Sequence, residues 1–134
     1  MNNQKYCVVG YGEHAKNKII PSILKIGSKI VGVVSEKNKI DKNFYRYKNL
    51  EDALNNVPKK TIFILCSPPN IHSTQALKIL KSGFNLFIEK PVTISVKSLK
   101  KIILLAKKNN LFFVEGFMYK YSNTYKKFLK IWFQ

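Results

Sequence analysis

A charged pair follows a short apolar run near the middle of the chain. Residues 86–88 (Leu-Phe-Ile) are typical of a buried strand, and Glu89-Lys90-Pro91 comes directly after them. Open α/β sheets bind their ligands at the carboxyl ends of strands. A lysine that is desolvated there has a lowered pKa and can exchange protons near neutral pH. Pro91 restricts the backbone just after this lysine, and a cis peptide before Pro91 would hold the lysine in one direction. Lys90 is therefore a candidate catalytic residue; the alternative is an ordinary ion pair in a solvated turn.

A glycine-rich segment follows the first predicted strand, residues 6–9. It reads Gly10-Tyr11-Gly12-Glu13-His14-Ala15, the G-x-G-x-x-A form of the dinucleotide fingerprint. The first glycine makes a tight turn, the second lets the backbone approach a pyrophosphate, and the alanine keeps the helix close to the strand. The helix amino terminus then offers free N–H groups to phosphates. The pattern predicts a cofactor site; a glycine turn in another βα unit is the alternative.

The second predicted strand, residues 30–34, ends in Ser35-Glu36-Lys37. An NAD site usually has an acidic residue at this strand end, where it binds the ribose 2′-hydroxyl. Ser35 takes that place here and Glu36 comes one residue later. Ser35 with Lys37 would suit a 2′-phosphate, whereas Glu36 would oppose it. The choice between NAD and NADP stays open with a lean to NADP, and the three residues would equally open a polar loop.

A proline-rich loop follows the third predicted strand, residues 61–66. It reads Ser67-Pro68-Pro69-Asn70-Ile71-His72, and we expect it beside the cofactor. Asn70 is predicted to cap the next helix. His72 would lie in the first helical turn, where it would contact a ribose or the substrate, or hydrogen-bond the loop. The helix dipole disfavours a protonated ring there, so His72 is not expected to be a general acid.

The remaining pattern alternates strands with helices. A helix after the fingerprint meets Pro21, which predicts a kink or a late start, and Gly27 ends it. Asn49 with Asp52 predicts a capped short helix, and Ser95 caps a helix that turns Val96, Leu99, Ile102, Ile103 and Ala106 to one face. A last strand is predicted at residues 111–114. We therefore predict an α/β fold, a Rossmann-like doubly wound parallel sheet of about five strands with helices on both faces.

The composition limits the classes of partner. The formal charge is +17 over 134 residues. The lysines that carry it are scattered along the chain rather than interleaved with aromatic residues, so we expect no nucleic-acid partner. No apolar run is long enough to cross a membrane, so we expect no membrane partner. Cys7 and Cys66 fall in predicted buried strands, which indicates core thiols in a cytoplasmic protein rather than a disulfide or a metal site.

Taken together, these motifs resemble the Gfo/Idh/MocA family of oxidoreductases over residues 6 to about 125. The resemblance rests on Gly10–Ala15, on Ser67–Asn70 with His72, and above all on Glu89-Lys90-Pro91. It implies a domain that holds NAD or NADP, with hydride moving between the nicotinamide and a hydroxyl-bearing carbon of a sugar, nucleotide sugar, cyclitol or diol. Lys90 would bind that hydroxyl and assist its proton, and Glu89 would belong to the cofactor site with it.

Two departures from the family pattern concern the end of the chain. Family members carry a second domain that supplies most of the substrate pocket; here residues 1–120 would form the cofactor domain and residues 121–134 would start a helix leading toward an absent substrate domain. The exit segment has Lys120, Tyr121, Ser122 and Asn123 where relatives usually carry an arginine, an aromatic, a histidine and a proline. The apolar face of this last helix would pack back on the sheet, meet a second copy or a separate chain, or await a missing part. A truncated non-catalytic nucleotide-binding module, or a decayed gene product, is the alternative function.

Overall fold

Six parallel strands form one sheet in the computed structural model, which describes residues 4–37 and 40–132. The strands are β1 (Lys5–Val9), β2 (Lys29–Val34), β3 (Arg46–Tyr47), β4 (Ile62–Leu65), β5 (Asn85–Ile88) and β6 (Phe113–Glu115). Their spatial order is β3-β2-β1-β4-β5-β6. β2 and β3 are added on one side of β1, and β4, β5 and β6 are then added on its other side. This is the predicted doubly wound Rossmann-like sheet, and its order reverses between β1 and β4.

The sequence predicts about five strands, and the additional one is β3. Val33 N–H donates to Tyr45 O at 2.9 Å, and Ser35 N–H donates to Tyr47 O at 3.1 Å. Tyr47 is buried against Gly32, where an added Cβ would lie 2.4 Å from the tyrosine ring. A two-residue strand is too short to show a periodic pattern, and this one is defined by its pairing with the edge of β2.

The described part of the chain contains five α-helices, and the first four of them flank the sheet. They are α1 (Ile20–Lys25), α2 (Leu50–Asn56), α3 (Pro69–Lys81), α4 (Val96–Lys108) and α5 (Asn123–Trp132). Apolar side chains of α2, α3 and α4 share a core with Phe63 and Leu65 on one face, whereas α1 packs with Val8 and Ile64 on the other. Helices thus cover both faces as predicted, with three on one side and one on the other. No helix in residues 4–37 and 40–132 has the length and apolar character needed to span a membrane.

The helical backbone that follows the fingerprint begins before Pro21. It is π-helical over Ala15–Ile19, where Ile20 N–H donates to Ala15 O five residues back. Proline has no N–H and its ring crowds the carbonyl four residues earlier, so a wider turn ahead of it lets the helix continue. Of the two outcomes predicted for Pro21, a kink or a late start, the late start is not observed. Gly27 ends the helix with a φ of +72°, as predicted.

Two predicted helix caps are present. Asn49 Oδ1 accepts a hydrogen bond from Asp52 N–H at 2.9 Å, and Ser95 Oγ accepts one from Ser98 N–H at 3.3 Å. Each satisfies a backbone donor that the helix cannot satisfy itself. In α4, Leu99, Ile102 and Ala106 contact the core as predicted, whereas Ile103 is only half-buried outside it and Val96, in the first turn, is 71 % exposed.

The predicted cap at Asn70 is wrong. The residue before α3 is Pro68, and Pro69 is the first helical residue. Proline suits this position because its φ is already helical and it has no N–H that would need an acceptor. Asn70 therefore lies inside the first turn, exposed, rather than ahead of the helix.

The apolar face of α5 does not pack back on the sheet. Tyr125, Phe128 and Trp132 are 36, 54 and 72 % exposed, and no described residue of this helix is buried. Of the three possibilities that the sequence left for this face, packing against the sheet is not observed. Residues 133–134 of the predicted C-terminal segment lie outside the described residues.

Candidate functional site

The loops that carry the candidate residues meet at one edge of the sheet. Gly10 N–H donates to Val34 O at 3.0 Å, and Glu89 N–H donates to Leu65 O at 2.9 Å. Both bonds extend the parallel ladders just past the strand ends. The segments after β1, β2, β4 and β5 therefore lie side by side at the carboxyl edge, where the strand order reverses.

A cleft of about 750 Å³ opens at this edge. It is bounded by the loops after β1, β2 and β4 and by residues of α3 and of the start of α2. The predicted cofactor residues that line it are Gly10, Tyr11, Gly12, Ser35, Glu36, Lys37, Ser67 and Pro68. The cleft thus brings together residues from three separate motifs, at the place where doubly wound sheets bind nucleotides.

The two fingerprint glycines have different surroundings. Gly10 has a φ of +96°, and a Cβ there would lie 2.9 Å from backbone atoms of Cys66 and Ser67. Gly12 has open space in front of it, with nothing within 4 Å of an added Cβ. Gly10 is therefore required by the fold itself, whereas Gly12 leaves room for a bound group.

The helix start offers donors to that open space. Lys16 N–H donates to Gly12 O at 3.1 Å and makes the first intrahelical bond. The N–H groups of residues 13–15 come before it and have no acceptor within the helix. Free N–H groups at a helix amino terminus bind phosphate well, so the residues present fit a dinucleotide pyrophosphate.

Two fingerprint residues that follow Gly12 have other contacts. The Glu13 side chain is exposed and bonds with Lys16 and Asn17, which hold the pKa of its carboxyl below the usual value. Ala15 is fully buried in the core formed by α1, where it lets the helix approach the strand as predicted. Neither residue lines the cleft.

The segment after β2 places one buried and two exposed side chains at the cleft. Ser35 is buried, its Oγ accepts from Lys37 N–H at 3.1 Å, and its carbonyl accepts from Arg46 Nη1 at 3.0 Å. The Ser35 hydroxyl keeps its own hydrogen for a further acceptor. Glu36 and Lys37 are exposed and line the cleft.

The Lys90 loop lies beside the fingerprint helix. Glu89 Oε1 is 3.3 Å from His14 Nε2, and the Lys90–Pro91 peptide is cis. Lys90 itself is exposed, so the sequence-based expectation of a desolvated lysine is wrong for the chain as it stands. Its position after β5 puts it on the same edge of the sheet as the cleft, although neither it nor Glu89 nor His14 lines the cleft.

His72 hydrogen-bonds two loops instead of facing the cleft. Its ring is 1 % exposed, with Nε2 2.7 Å from Ser67 O and Nδ1 2.9 Å from Pro91 O. Of the alternatives that the sequence left for this residue, the loop contact is the observed one. Asn70, two residues earlier in α3, does not line the cleft either.

Sequence reasoning missed a stripe of α3 that forms one wall of the cleft. Its members are Ile71, Thr74, Gln75 and Lys78. Their spacing of three, four and seven residues places them on one helix face, a signal that is readable once the helix start is known. Lys48 also lines the cleft, from the turn before α2, and the sequence carries no pattern that would have identified it.

Both cysteines are free thiols, as predicted. Burial raises the pKa of the Cys7 thiol to about 12. Burial, with a smaller contribution from the charge of Glu89, raises the pKa of the Cys66 thiol to about 12 as well. Both groups are therefore neutral near pH 7. In residues 4–37 and 40–132 no three His, Cys, Asp or Glu side chains come together as metal ligands would.

The sheet order, the cleft at the reversal and the open glycine define a Rossmann domain of the dinucleotide-binding class. The family model GFO_IDH_MocA, described as an oxidoreductase family with an NAD-binding Rossmann fold, matches residues 4–117. The chain belongs to this family, which confirms the resemblance inferred from the motifs.

Comparison with individual proteins gives partial matches. An uncharacterized oxidoreductase of Streptococcus pneumoniae is 30 % identical over 60 residues, which is 45 % of this chain and 16 % of that protein. The WlbA dehydrogenase from Chromobacterium violaceum, solved with NADH and UDP-GlcNAcA, has a TM-score of 0.78 at 20 % identity, over 86 % of this chain and 35 % of its own. A 3-ketoreductase from Actinomadura kijaniata, solved with TDP-benzene and NADP, has a TM-score of 0.87 at 15 % identity, over 97 % and 42 %. The chain thus spans less than half the length of each of these three proteins.

Proposed function

We propose that this chain is the NAD(P)-binding part of an oxidoreductase that moves hydride between the nicotinamide and a hydroxyl-bearing carbon of a sugar, nucleotide sugar, cyclitol or diol. The observation that carries the proposal is the cleft at the strand-order reversal, with Gly12 facing open space beside free helix N–H groups. Such a site suits the pyrophosphate of a dinucleotide. Bound NAD(P) would supply the hydride chemistry.

The residues of this chain then divide into two groups. Gly10, Gly12 and the helix start hold the pyrophosphate, with Tyr11 and the Ser67–Pro68 segment along the cleft walls. Lys90 binds the substrate hydroxyl and takes or returns its proton as hydride moves. Its exposed position, which follows the strand next to β4, leaves it accessible to a substrate that approaches from outside the chain.

We favour NADP over NAD. Lys37 and Lys48 line the cleft as cations, Lys78 is paired with Glu51, and the hydroxyl of Ser35 keeps a free hydrogen. A 2′-phosphate would gain charge-assisted hydrogen bonds from such groups. Glu36 opposes this choice. Of the two similar structures, one was solved with NADH and one with NADP, which supports either cofactor.

The test is a titration of the purified chain with NADH and NADPH, followed by nicotinamide fluorescence and by thermal shift. Saturable binding of either cofactor supports the proposal, and tighter binding of NADPH supports the preference. A folded chain that binds neither would overturn both.

The exposure of Lys90 favours one alternative, a non-catalytic nucleotide-binding module, truncated or decayed. In the proposed enzyme a substrate domain, from a longer or a separate polypeptide, covers Lys90 and contacts the apolar face of α5; a second copy of the chain is the other partner we consider for that face. Turnover by the purified chain with NADP and a panel of sugars would exclude the non-catalytic module.

The free neutral thiols suit the reducing cytoplasm, where we place the protein.

A further inference from the structure

A buried histidine joins two of the loops at the carboxyl edge. His72 projects from α3, with Nε2 2.7 Å from the carbonyl of Ser67 and Nδ1 2.9 Å from the carbonyl of Pro91. Ser67 belongs to the loop after β4, and Pro91 to the loop after β5. The ring therefore spans the gap between the cofactor cleft and the segment that carries Lys90.

The number and position of the hydrogens on the ring nitrogens decide which of the two carbonyls His72 can bond. A carbonyl oxygen only accepts hydrogen bonds, so each ring nitrogen that bonds here must carry a hydrogen. A neutral imidazole has one N–H and bonds one of the two carbonyls, whereas the imidazolium bonds both. A bond to Pro91 O consequently requires a hydrogen on Nδ1.

The loop after β5 has defined contacts before and after Lys90. Glu89 N–H donates to Leu65 O at 2.9 Å, and Glu89 Oε1 is 3.3 Å from His14 Nε2. On the far side, Val92 N–H donates to Glu115 Oε1 at a longer 3.3 Å. The backbone just after Lys90 thus depends on the histidine contact to Pro91 for its shortest hydrogen bond.

We propose that His72 is a positioning residue, whose Nδ1–H donates to the Pro91 carbonyl and thereby fixes the direction in which the loop presents Lys90. The role of Lys90 in this proposal rests on the proposed function. The positioning of the loop rests only on the hydrogen bond between His72 and Pro91. His72 itself touches neither cofactor nor substrate.

The first test is the nitrogen-15 spectrum of the wild-type chain labelled at histidine. The chain has two histidines, so the spectrum contains two rings, and a His14→Gln variant assigns them. We expect His72 to show a protonated Nδ1, as the imidazolium or as the Nδ1–H tautomer. A neutral ring protonated only at Nε2 would leave the Pro91 carbonyl without a donor and would overturn the proposal, whatever the variants do.

The second test uses two variants that each keep one donor. In His72→Asn the side-chain amide replaces Nδ1, and in His72→Gln it reaches the place of Nε2. The readout is hydrogen exchange of the Val92 amide, which reports on the loop without any cofactor. We expect His72→Asn to lie within about twofold of wild type, and His72→Gln to exchange about fivefold faster, as the loss of one ordinary hydrogen bond predicts.

Equal exchange in the two variants, or rescue by Gln and not by Asn, would overturn the positioning role. Cofactor titration separates this result from the proposed function. If NADH or NADPH binds but the variants do not differ, the function stands and the positioning role fails. If neither cofactor binds but His72→Gln alone loosens the loop, the positioning role stands and the proposed function fails.

Discussion

The two fingerprint glycines should respond oppositely to substitution. Gly12→Val adds a side chain into open space at an exposed position, so the fold should lose no more than about 0.5 kcal/mol. The same side chain would occupy the place of the pyrophosphate. Loss of about two charge-assisted hydrogen bonds costs about 3 kcal/mol or more, which predicts at least about 100-fold weaker binding of NADH and NADPH.

Gly10→Ala is the matched control, because its expected damage is to the fold. A φ of +96° costs alanine about 1–2 kcal/mol, and a Cβ 2.9 Å from the Cys66 and Ser67 backbone adds about 1–3 kcal/mol of strain. A chain of 134 residues has an unfolding entropy of about 0.28 kcal/mol/K, so Tm should fall by about 7–18 °C.

Thermal unfolding without cofactor and fluorescence titration below the transition measure the two effects separately. The reasoning is refuted if Gly12→Val binds both cofactors as wild type does, since the space before Gly12 would then not hold the phosphates. It is also refuted if Gly12→Val lowers Tm as much as Gly10→Ala does, since Gly12 would then be a structural requirement.

Three further predictions concern single side chains. Lys90→Ala should leave Tm unchanged and cofactor affinity within about twofold of wild type, because Lys90 is exposed. It should slow the hydride step by about 100-fold or more in an enzyme completed with the proposed substrate domain, and an unchanged step in single-turnover kinetics would remove the assigned role. Lys37→Gln should weaken NADPH about tenfold and NADH little, with Lys81→Gln at the far end of α3 as the control, and parallel losses for both cofactors would exclude a 2′-phosphate contact. The folded-state pKa of Cys66 lies above its ordinary value of 9.0, so its stabilising contribution is complete below pH 9 and declines as pH rises through 9 toward 12. Between pH 8 and pH 10 the free energy of unfolding, measured with denaturant, should thus fall by about 1 kcal/mol less in Cys66→Ala than in wild type. Equal decreases in the two proteins would contradict the burial effect.

The parts of the fold that could be predicted are those with local signals. Apolar β-branched runs, glycines at helix ends and the Asn49 and Ser95 caps each encode their structure within a few residues. β3 could not be predicted in this way, because it exists through pairing with β2 and through the fit of the Tyr47 ring over Gly32. The start of α3 was misplaced because two consecutive prolines and an asparagine offer competing helix starts, and the proline position prevailed.

The candidate site was predictable to the extent that strand ends define it. Glycine spacing and strand order place the fingerprint, Ser35–Lys37 and Ser67–Pro68 at one cleft. The direction of a side chain from a loop depends on contacts across the fold, which no short segment encodes. His72 therefore bonds two neighbouring loops and Glu89 contacts His14 at the start of the fingerprint helix, although both come from motifs associated with the cofactor.

The position of β1 has a consequence for synthesis of the chain. Of the six strands this one leaves the ribosome first, yet it lies between β2 and β4 in the finished sheet. Its second partner begins at Ile62, which at ordinary translation rates emerges about 3–11 s later. During that interval the apolar segment from Tyr6 to Val9 has one edge open, and a nascent chain halted before β4 would offer that edge to other strands. Deleting the first strand would correspondingly separate the sheet into two unconnected halves rather than trim one edge.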